Sequence, residues 1–185
     1  MDRKIRIAAA GDNCVFIPKD AAGAKVVIGK DTELKSYGAA AIQSNGHTEG
    51  LELTVAGKVE SVGVVAMYLP QVATCTIEGT AVISGATGIE LRAGDLVVKD
   101  GASISAGDDF KAEANGNGST VLGAAVAVSA HSTNLPINVT IEGGVFSCKF
   151  ALYEVNFFGE DRTAETKLSV KAGTFNAPIF SENCT

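Results

Sequence analysis

Residues 139–154 read VTIEGGVFSCKFALYE, and residues 168–183 read LSVKAGTFNAPIFSEN. Each stretch opens with an alternating apolar–polar–apolar triplet, passes through a turn that contains Gly, and reaches a second apolar residue, Phe146 or Phe175. Successive residues of a β-strand point to opposite faces, so the outer members of each triplet share one face. The repeated unit therefore predicts strands that stack on one another in register.

The triplet occurs six times along the chain. Its copies are Val26-Val27-Ile28, Leu53-Thr54-Val55, Cys75-Thr76-Ile77, Leu96-Val97-Val98, Val139-Thr140-Ile141 and Leu168-Ser169-Val170. The last residues of successive copies are separated by 27, 22, 21, 43 and 29 positions. A coil of about 22 residues with loop insertions explains every separation, and the largest insertion falls at about residues 108–119.

Stacking the triplets predicts three apolar ladders. The first consists of Val26, Leu53, Cys75, Leu96, Val139 and Leu168. The second consists of Ile28, Val55, Ile77, Val98, Ile141 and Val170. A third ladder follows the turn and is predicted at Leu34, Val59, Val82, Ile104, Phe146 and Phe175. The middle residues of the triplets are mostly polar, and we expect them to face outward.

Helical patterning is confined to residues 108–114, DDFKAEA, where two acidic residues begin the stretch and Asn-Gly follows it. We expect one or two helical turns there. Without longer helices a doubly wound α/β sheet is excluded, and a β-sandwich does not explain the recurring inward positions. The sequence therefore predicts an all-β fold, a parallel β-helix of about six coils. Residues 1–24 are expected to form an N-terminal β cap and residues 25–185 the helix, as one domain overall.

Residues 139–154 and 168–183 resemble the T-I-x-G-G-T-F coils of pectin-lyase-like right-handed β-helix repeats, and the resemblance extends over about residues 25–185. Such repeats occur in surface proteins of gut bacteria, and related helices occur in phage fibres. The resemblance implies a right-handed, single-stranded solenoid and favours an extracellular, cell-surface or virion location. This group includes polysaccharide lyases, adhesins and purely structural segments, so the fold does not select among these functions.

The composition argues against nucleic acid and membranes as partners. The 185-residue chain carries a net charge of −6, which does not favour binding to nucleic acid or to an anionic membrane surface. No apolar stretch approaches the roughly 20 residues that span a bilayer, so membrane insertion is not expected. The N-terminus shows no apolar segment of a secretion signal, which leaves open whether the protein stays in the cell or has lost a leader.

The strand that follows the third ladder is where carbohydrate-active β-helices carry their chemistry. Its outward residues are predicted to be Ala41, Gln43, Ala66, Tyr68, Glu90, Arg92, Ala127 and Ser129, with Glu154 one coil later. Acid–base catalysis needs at least two carboxyl groups on adjacent coils, and this face offers one beside an Arg. We therefore expect a solvated face with no catalytic residue, and we name Tyr68, Glu90 and Arg92 as candidate ligand-binding residues for a glycan.

The remaining candidates are weaker. Asp108, Asp109 and Glu113 could bind calcium, but their spacing suits the acidic start of a helix equally well, so neither a metal site nor a cofactor is predicted. His47 and His131 are the only two histidines, and His131, at the end of a strand, is expected on the surface. Ser129 precedes His131 by two residues, but no nucleophile elbow accompanies this pair.

The four cysteines are far apart in the sequence. Cys75 is predicted in the core, and a disulfide remains open for Cys14, Cys148 and Cys184.

Three functions remain. The first is a non-catalytic structural or adhesion module of a bacterial surface or phage protein. The second is a carbohydrate-binding or polysaccharide-lyase-like β-helix. The third is a scaffold that stacks end to end, with self-association through the C-terminal coil, where Phe175, Ile179 and Phe180 are expected at inward or near-inward positions.

Overall fold

A computed structural model describes residues 4–47, 49–161 and 163–185. The chain winds through three parallel sheets, A, B and C, and each complete coil contributes one strand to each sheet. Strands β3, β4 and β5 make the first complete coil, and β20, β21 and β22 make the sixth. The predicted all-β parallel β-helix of about six coils is therefore confirmed.

The strands of each sheet lie one coil apart. Sheet A contains β1 (Ile5–Ala10), β4 (Thr32–Tyr37), β7 (Lys58–Val62), β10 (Val82–Gly85), β13 (Ser103–Ala106), β18 (Val145–Ser147) and β21 (Thr174–Phe175). Sheet B contains β2 (Val15–Ile17), β5 (Ile42–Ser44), β8 (Val65–Leu69), β11 (Thr87–Leu91), β16 (Ala124–Ser129), β19 (Phe150–Val155) and β22 (Ile179–Phe180). Sheet C contains β3 (Lys25–Ile28), β6 (Leu51–Val55), β9 (Ala73–Ile77), β12 (Gly94–Val98), β17 (Ile137–Ile141) and β20 (Thr166–Val170).

Sheet C carries the two triplet ladders in the predicted register. Val26 pairs with Leu53 and Leu53 with Cys75, and the ladder continues through Leu96 and Val139 to Leu168. The second ladder runs in the same way from Ile28 to Val170. The side chains between the ladders face outward, as the 70% exposure of Val27 shows. Alternation along each strand thus separates core from surface.

The third ladder lies in sheet A and differs from the prediction at one position. Val59 pairs with Ile83, and Ile83 pairs with Ile104, whereas Val82 lies opposite Lys58 with 43% of its surface exposed. The prediction of Val82 is therefore wrong by one residue. Val82 and Ile83 are both β-branched and apolar, so alternation alone does not reveal which of them faces the core.

The first 24 residues, assigned above to a cap, contribute β1 and β2. Strand β1 pairs in parallel with β4, and β2 pairs in parallel with β5, at one end of sheets A and B. At the opposite end the Phe146 and Phe175 rings stack with centroids 4.9 Å apart, and Phe180 of β22 stacks on Tyr153 at 5.1 Å. Phe146 is fully buried, whereas Phe180 is half exposed.

The helical prediction for residues 108–114 is wrong, because this stretch enters an antiparallel β-hairpin. Strand β14 (Lys111–Asn115) pairs with β15 (Gly118–Leu122), and Gly116 and Asn117 form the two-residue turn between them. The hairpin packs on the outer face of sheet B, where Val121 is buried against Ala124 and Ala127. A helix of one or two turns is unstable alone, so the packing of β15 determines the structure.

Among the described residues, helical structure is limited to a short 3-10 turn at Gly159–Asp161. Within the described ranges, no helix has the length and apolar character needed to cross a membrane.

Candidate ligand groove beside the hairpin

The hairpin covers part of the outer face of sheet B and buries several of the candidate residues on it. Glu90 is 4% exposed and Arg92 is 3% exposed, and Ala127 and Ser129 are also buried. The expected solvated face is wrong at Ala41 and Ala66 as well, which are fully buried in the core cluster, and it is wrong at these four positions. The reason is that the insertion folds back over its own coil, and no local pattern around residue 90 reveals that cover.

Arg92 joins the sheet to the hairpin. Its Nε donates to Oε1 of Glu90 at 3.1 Å, and its Nη2 donates to the same oxygen at 2.7 Å. Nη1 donates to the backbone oxygen of Asn117 at 3.1 Å, and Nη2 also donates to the backbone oxygen of Ser119. The guanidinium thus binds one carboxylate and two hairpin carbonyl groups, which satisfies most of its five N–H donors.

Further polar contacts fix the buried strand β15. The hydroxyl of Thr87 donates to the backbone oxygen of Val121, and the hydroxyls of Ser119 and Ser129 share a hydrogen bond. Gly118 lies at the start of β15 with a φ of +136°, a conformation that residues with a side chain rarely adopt. A Cβ atom at Gly118 would overlap the backbone oxygen of Ala130, so the close approach of hairpin and sheet requires glycine here.

Burial sets the electrostatics of the site. Desolvation raises the pKa of Glu90, and the nearby positive charge of Arg92 opposes that rise. Desolvation also raises the pKa of Tyr68, again opposed by Arg92, while the Glu90 charge adds to the rise. The guanidinium carbon of Arg92 lies 5.0 Å from the centroid of the Tyr68 ring, close enough for a cation–π contact. The three candidate residues form one interacting cluster.

The cluster lies at the edge of a groove of about 670 Å³ between the hairpin and the early coils of sheet B. Tyr68, Glu90 and Arg92 all contribute to its lining, so the structure brings together the three residues predicted from the sequence. The groove also takes residues from three separate parts of the chain that the prediction did not include as ligand-binding residues. These are Asn13 and Gln43 from the first coils and Asn115, Asn117 and Thr120 from the hairpin.

Some of the polar groups in the groove are occupied by other protein groups. Asn13 Nδ2 donates to the backbone oxygen of Ala40 at 2.7 Å and to Oε1 of Gln43 at 3.3 Å. Asn115 Nδ2 donates to the hydroxyl of Thr120 at 2.9 Å. Across the described residues, by contrast, the Gln43 Nε2, the Tyr68 hydroxyl and the Asn117 side-chain amide make no hydrogen bond to protein. These three groups remain available to a ligand.

The outward positions of Gln43 and Tyr68 were predicted from the coil repeat, and the structure pairs the two residues directly in sheet B. The contribution of Asn117 to the groove could not be predicted from the sequence, since it depends on how the hairpin folds. The signals for that element were the Asn-Gly pairs at residues 115–116 and 117–118, followed by the β-branched residues Thr120 and Val121.

Ser129 and His131 do not form a nucleophile–base pair. The Ser129 hydroxyl bonds to Ser119 and to the backbone oxygen of Ala130, while His131 Nδ1 lies 2.9 Å from the Thr133 hydroxyl. His131 is 9% exposed, which makes its predicted surface position wrong, because its Nδ1 accepts from the backbone N–H of Thr133 and its ring lies beside Gly46. His47 is exposed.

The acidic residues of the insertion are spread along it. Glu113 lies on the exposed side of β14, and its carboxylate pairs with Lys111 Nζ at 2.7 Å. Searching the described part of the chain gives no cluster of three or more His, Cys, Asp or Glu side chains suited to a metal ion.

A second cavity, of about 500 Å³, lies where sheets B and C meet near the last coils. Glu154 is part of its lining, and the carboxylate accepts hydrogen bonds from the Ser181 hydroxyl and the Asn183 side-chain amide. This carboxylate is therefore held by protein groups of the sixth coil.

All four cysteines are free. Cys75 is fully buried in its predicted core ladder, and burial raises the pKa of its thiol to about 12. Cys148 donates to the backbone oxygen of Phe150 at 2.8 Å, and burial raises its pKa as well. A raised pKa keeps these thiols protonated and unreactive.

No family model, curated protein or solved structure matches the chain. The function is therefore argued from the geometry.

Proposed function

We propose that the protein is a non-catalytic β-helix module with a structural or adhesive role. The observation that supports this proposal is the use of Arg92 and Glu90 to attach the hairpin to sheet B. Both groups are buried, and their charges are compensated by each other and by backbone carbonyls. Side chains that hold structure in this way are not free to exchange protons with a substrate.

The composition of the groove supports the same proposal. Among the described residues that line it, Glu90 is the single carboxylate and Arg92 the single cation. A glycoside hydrolase needs a pair of carboxyl groups beside the scissile bond. A lyase that acts on uronic acids needs an accessible base together with a cation that stabilises the developing negative charge. The groove offers neither arrangement.

The resemblance of residues 139–154 and 168–183 to pectin-lyase-like repeats of bacterial surface proteins and phage fibres supports a place outside the cell for such a module. The proposed mechanism is mechanical: strands paired in register over six coils form a stiff rod that presents its side faces to partners.

The proposal is tested by assaying the purified protein against neutral and uronic-acid polysaccharides, for new reducing ends and for unsaturated products. We expect no turnover above buffer. Glu90→Gln serves as the matched variant, since it keeps the shape of the side chain and removes its charge. Turnover that the wild type shows and the variant loses would overturn the non-catalytic proposal.

Carbohydrate binding is a second candidate function. The observation in its favour is the set of three uncommitted polar groups, Gln43 Nε2, the Tyr68 hydroxyl and the Asn117 amide, around one groove. Small-molecule sites typically combine a largely apolar lining with a few convergent polar groups, and their volumes are about 300–1,000 Å³. This second function is compatible with an adhesive role.

A further inference from the structure

We propose that the groove binds an uncharged saccharide and discriminates against acidic glycans. This inference rests on the carbohydrate-binding candidate above and specifies its ligand. Three features of the groove carry it: its charge balance, the type of its free hydrogen-bonding groups, and the fixed position of Tyr68.

The charge balance excludes a site for a carboxylate or sulfate group. Arg92 is the single cation among the described lining residues, and four of its hydrogen bonds go to Glu90, Asn117 and Ser119. Its 3% exposure leaves little surface for an external anion. An acidic ligand would lose its hydration on entering the groove without gaining an ion pair, which is an unfavourable exchange.

The free polar groups match a neutral ligand rich in hydroxyls. The amide groups of Gln43 and Asn117 each carry both a donor and an acceptor, and the hydroxyl of Tyr68 can act as either. A saccharide hydroxyl has the same dual character, so each of these groups can bond to it without a formal charge on either side. Gln43 lies beside Tyr68 in the sheet register, and Asn117 approaches from the hairpin. The ligand would therefore be held between sheet B, which carries Gln43 and Tyr68, and the hairpin, which carries Asn117.

The apolar part of the groove matches the C–H faces of a sugar ring. Val65, Ala40 and Leu122 line the groove next to Tyr68. Tyr68 is partly buried, and the Arg92 guanidinium 5.0 Å from its ring centroid helps to fix the ring before a ligand arrives. A preorganised ring and pocket reduce the entropy that binding would otherwise cost. Stacking and hydrogen bonding then act on the same ligand from different sides.

The test is calorimetric titration of the whole chain with two sets of sugars of matched length. One set contains neutral oligosaccharides of glucose, galactose and mannose, and the other contains oligogalacturonate. We expect at least one neutral oligosaccharide to bind, oligogalacturonate to bind at least about 10-fold more weakly, and the neutral affinity to change little with salt.

Two variants locate the binding in the groove. Tyr68→Phe keeps the ring and removes the hydroxyl, and Gln43→Ala removes the amide. We expect each to weaken neutral-sugar binding by about 2- to 12-fold, the range for loss of one hydrogen bond. The matched control is Tyr37→Phe in sheet A, where Lys35 lies 5.3 Å from the Tyr37 ring, and it should leave the affinity unchanged.

The possible failures are distinguishable. Preferential binding of oligogalacturonate, or neutral binding that neither groove variant affects, overturns the inference while leaving carbohydrate binding possible elsewhere on the protein. Absence of binding to every sugar overturns both the inference and the carbohydrate-binding candidate, and leaves the non-catalytic module intact. Cleavage of any titrated sugar contradicts the non-catalytic proposal itself.

Discussion

Arg92 and Glu90 are two residues apart in sequence and form an ion pair with Nη2 and Oε1 separated by 2.7 Å, beneath a hairpin that both help to hold. Their attraction is exerted away from water, where screening is weak. The pair therefore links the stability of the hairpin to the identity of two side chains on the sheet.

Replacing Arg92 with Met should destabilise the protein by about 3–5 kcal/mol, because Glu90 would remain buried without its counter-charge. The double variant Glu90→Leu with Arg92→Met should recover part of that loss, since an apolar pair carries no desolvation penalty for charge, while the backbone oxygens of Asn117 and Ser119 would still lack their donor. Urea unfolding measures both values. Lys25→Met is the control: its partner Glu52 is exposed, and the loss should be small. Equal losses in Arg92→Met and Lys25→Met would contradict the buried pair.

Gly118→Ala should loosen the hairpin, whereas Gly116→Ala should not. A Cβ at Gly118 would overlap the backbone oxygen of Ala130, and the positive φ adds strain of about 1–3 kcal/mol. A Cβ at Gly116, two residues away in the same turn region, meets nothing within 4 Å. Amide hydrogen exchange of Val121 should accelerate in the first variant and stay unchanged in the second. Acceleration in both would mean that the turn, and not the contact with Ala130, controls the hairpin.

Two glutamate variants should show opposite pH dependence. The pKa of Glu90 is raised above its ordinary value of 4.5, so its contribution to stability is present at low pH and is lost as pH rises through the raised pKa. The pKa of Glu142 is lowered, chiefly by a hydrogen bond from Lys99, so its contribution is lost as pH falls. Relative to wild type, Glu90→Gln should therefore gain stability with rising pH and Glu142→Gln with falling pH.

Urea unfolding at a series of values from about pH 3 to pH 8 measures these differences. Glu142 lies on the exposed side of sheet C, which makes it a suitable comparison for the buried Glu90. Parallel curves for the two variants would show that Glu90 titrates like a surface carboxyl group.

Ile77→Ala should cost about 2–5 kcal/mol, because Ile77 is fully buried between Val55 and Val98 in the second ladder. Thr76→Ala, at the adjacent outward position, should cost less than about 1 kcal/mol. The midpoint of urea unfolding checks both variants. Similar losses at the two positions would be inconsistent with the strand register.

The core of the solenoid was predictable because its information is local and repeated. In the triplet Cys75-Thr76-Ile77 the polar middle residue identifies the outward face, and three of the other five triplets also have a polar residue there. The alternating pattern does not identify the inward residue where two adjacent residues are chemically alike. Val82 and Ile83 are chemically similar, and the choice between them is made by pairing with Val59 in the preceding coil.

The groove was predictable only in part, because one side is built from the repeated coils and the other from a hairpin that occurs once. Tyr68 and Glu90 belong to the coil repeat and pair with each other in sheet B. The burial of Glu90 depends instead on β14 and β15, which occur once and have no repeat to support them. Residues 108–114 favour a short helix by local composition, and the contact of Val121 with the sheet overrides that preference.

The interval from Ile77 to Val98 is 21 residues, and the interval from Val98 to Ile141, which contains the hairpin, is 43. Both pairs of residues are nonetheless neighbours in the same ladder. Doubling a loop adds only about 0.6 kcal/mol of closure entropy. The corner between β13 and β16 is therefore a place where evolution or a protein engineer can exchange one surface loop for another, while the rod that carries the loop keeps its shape.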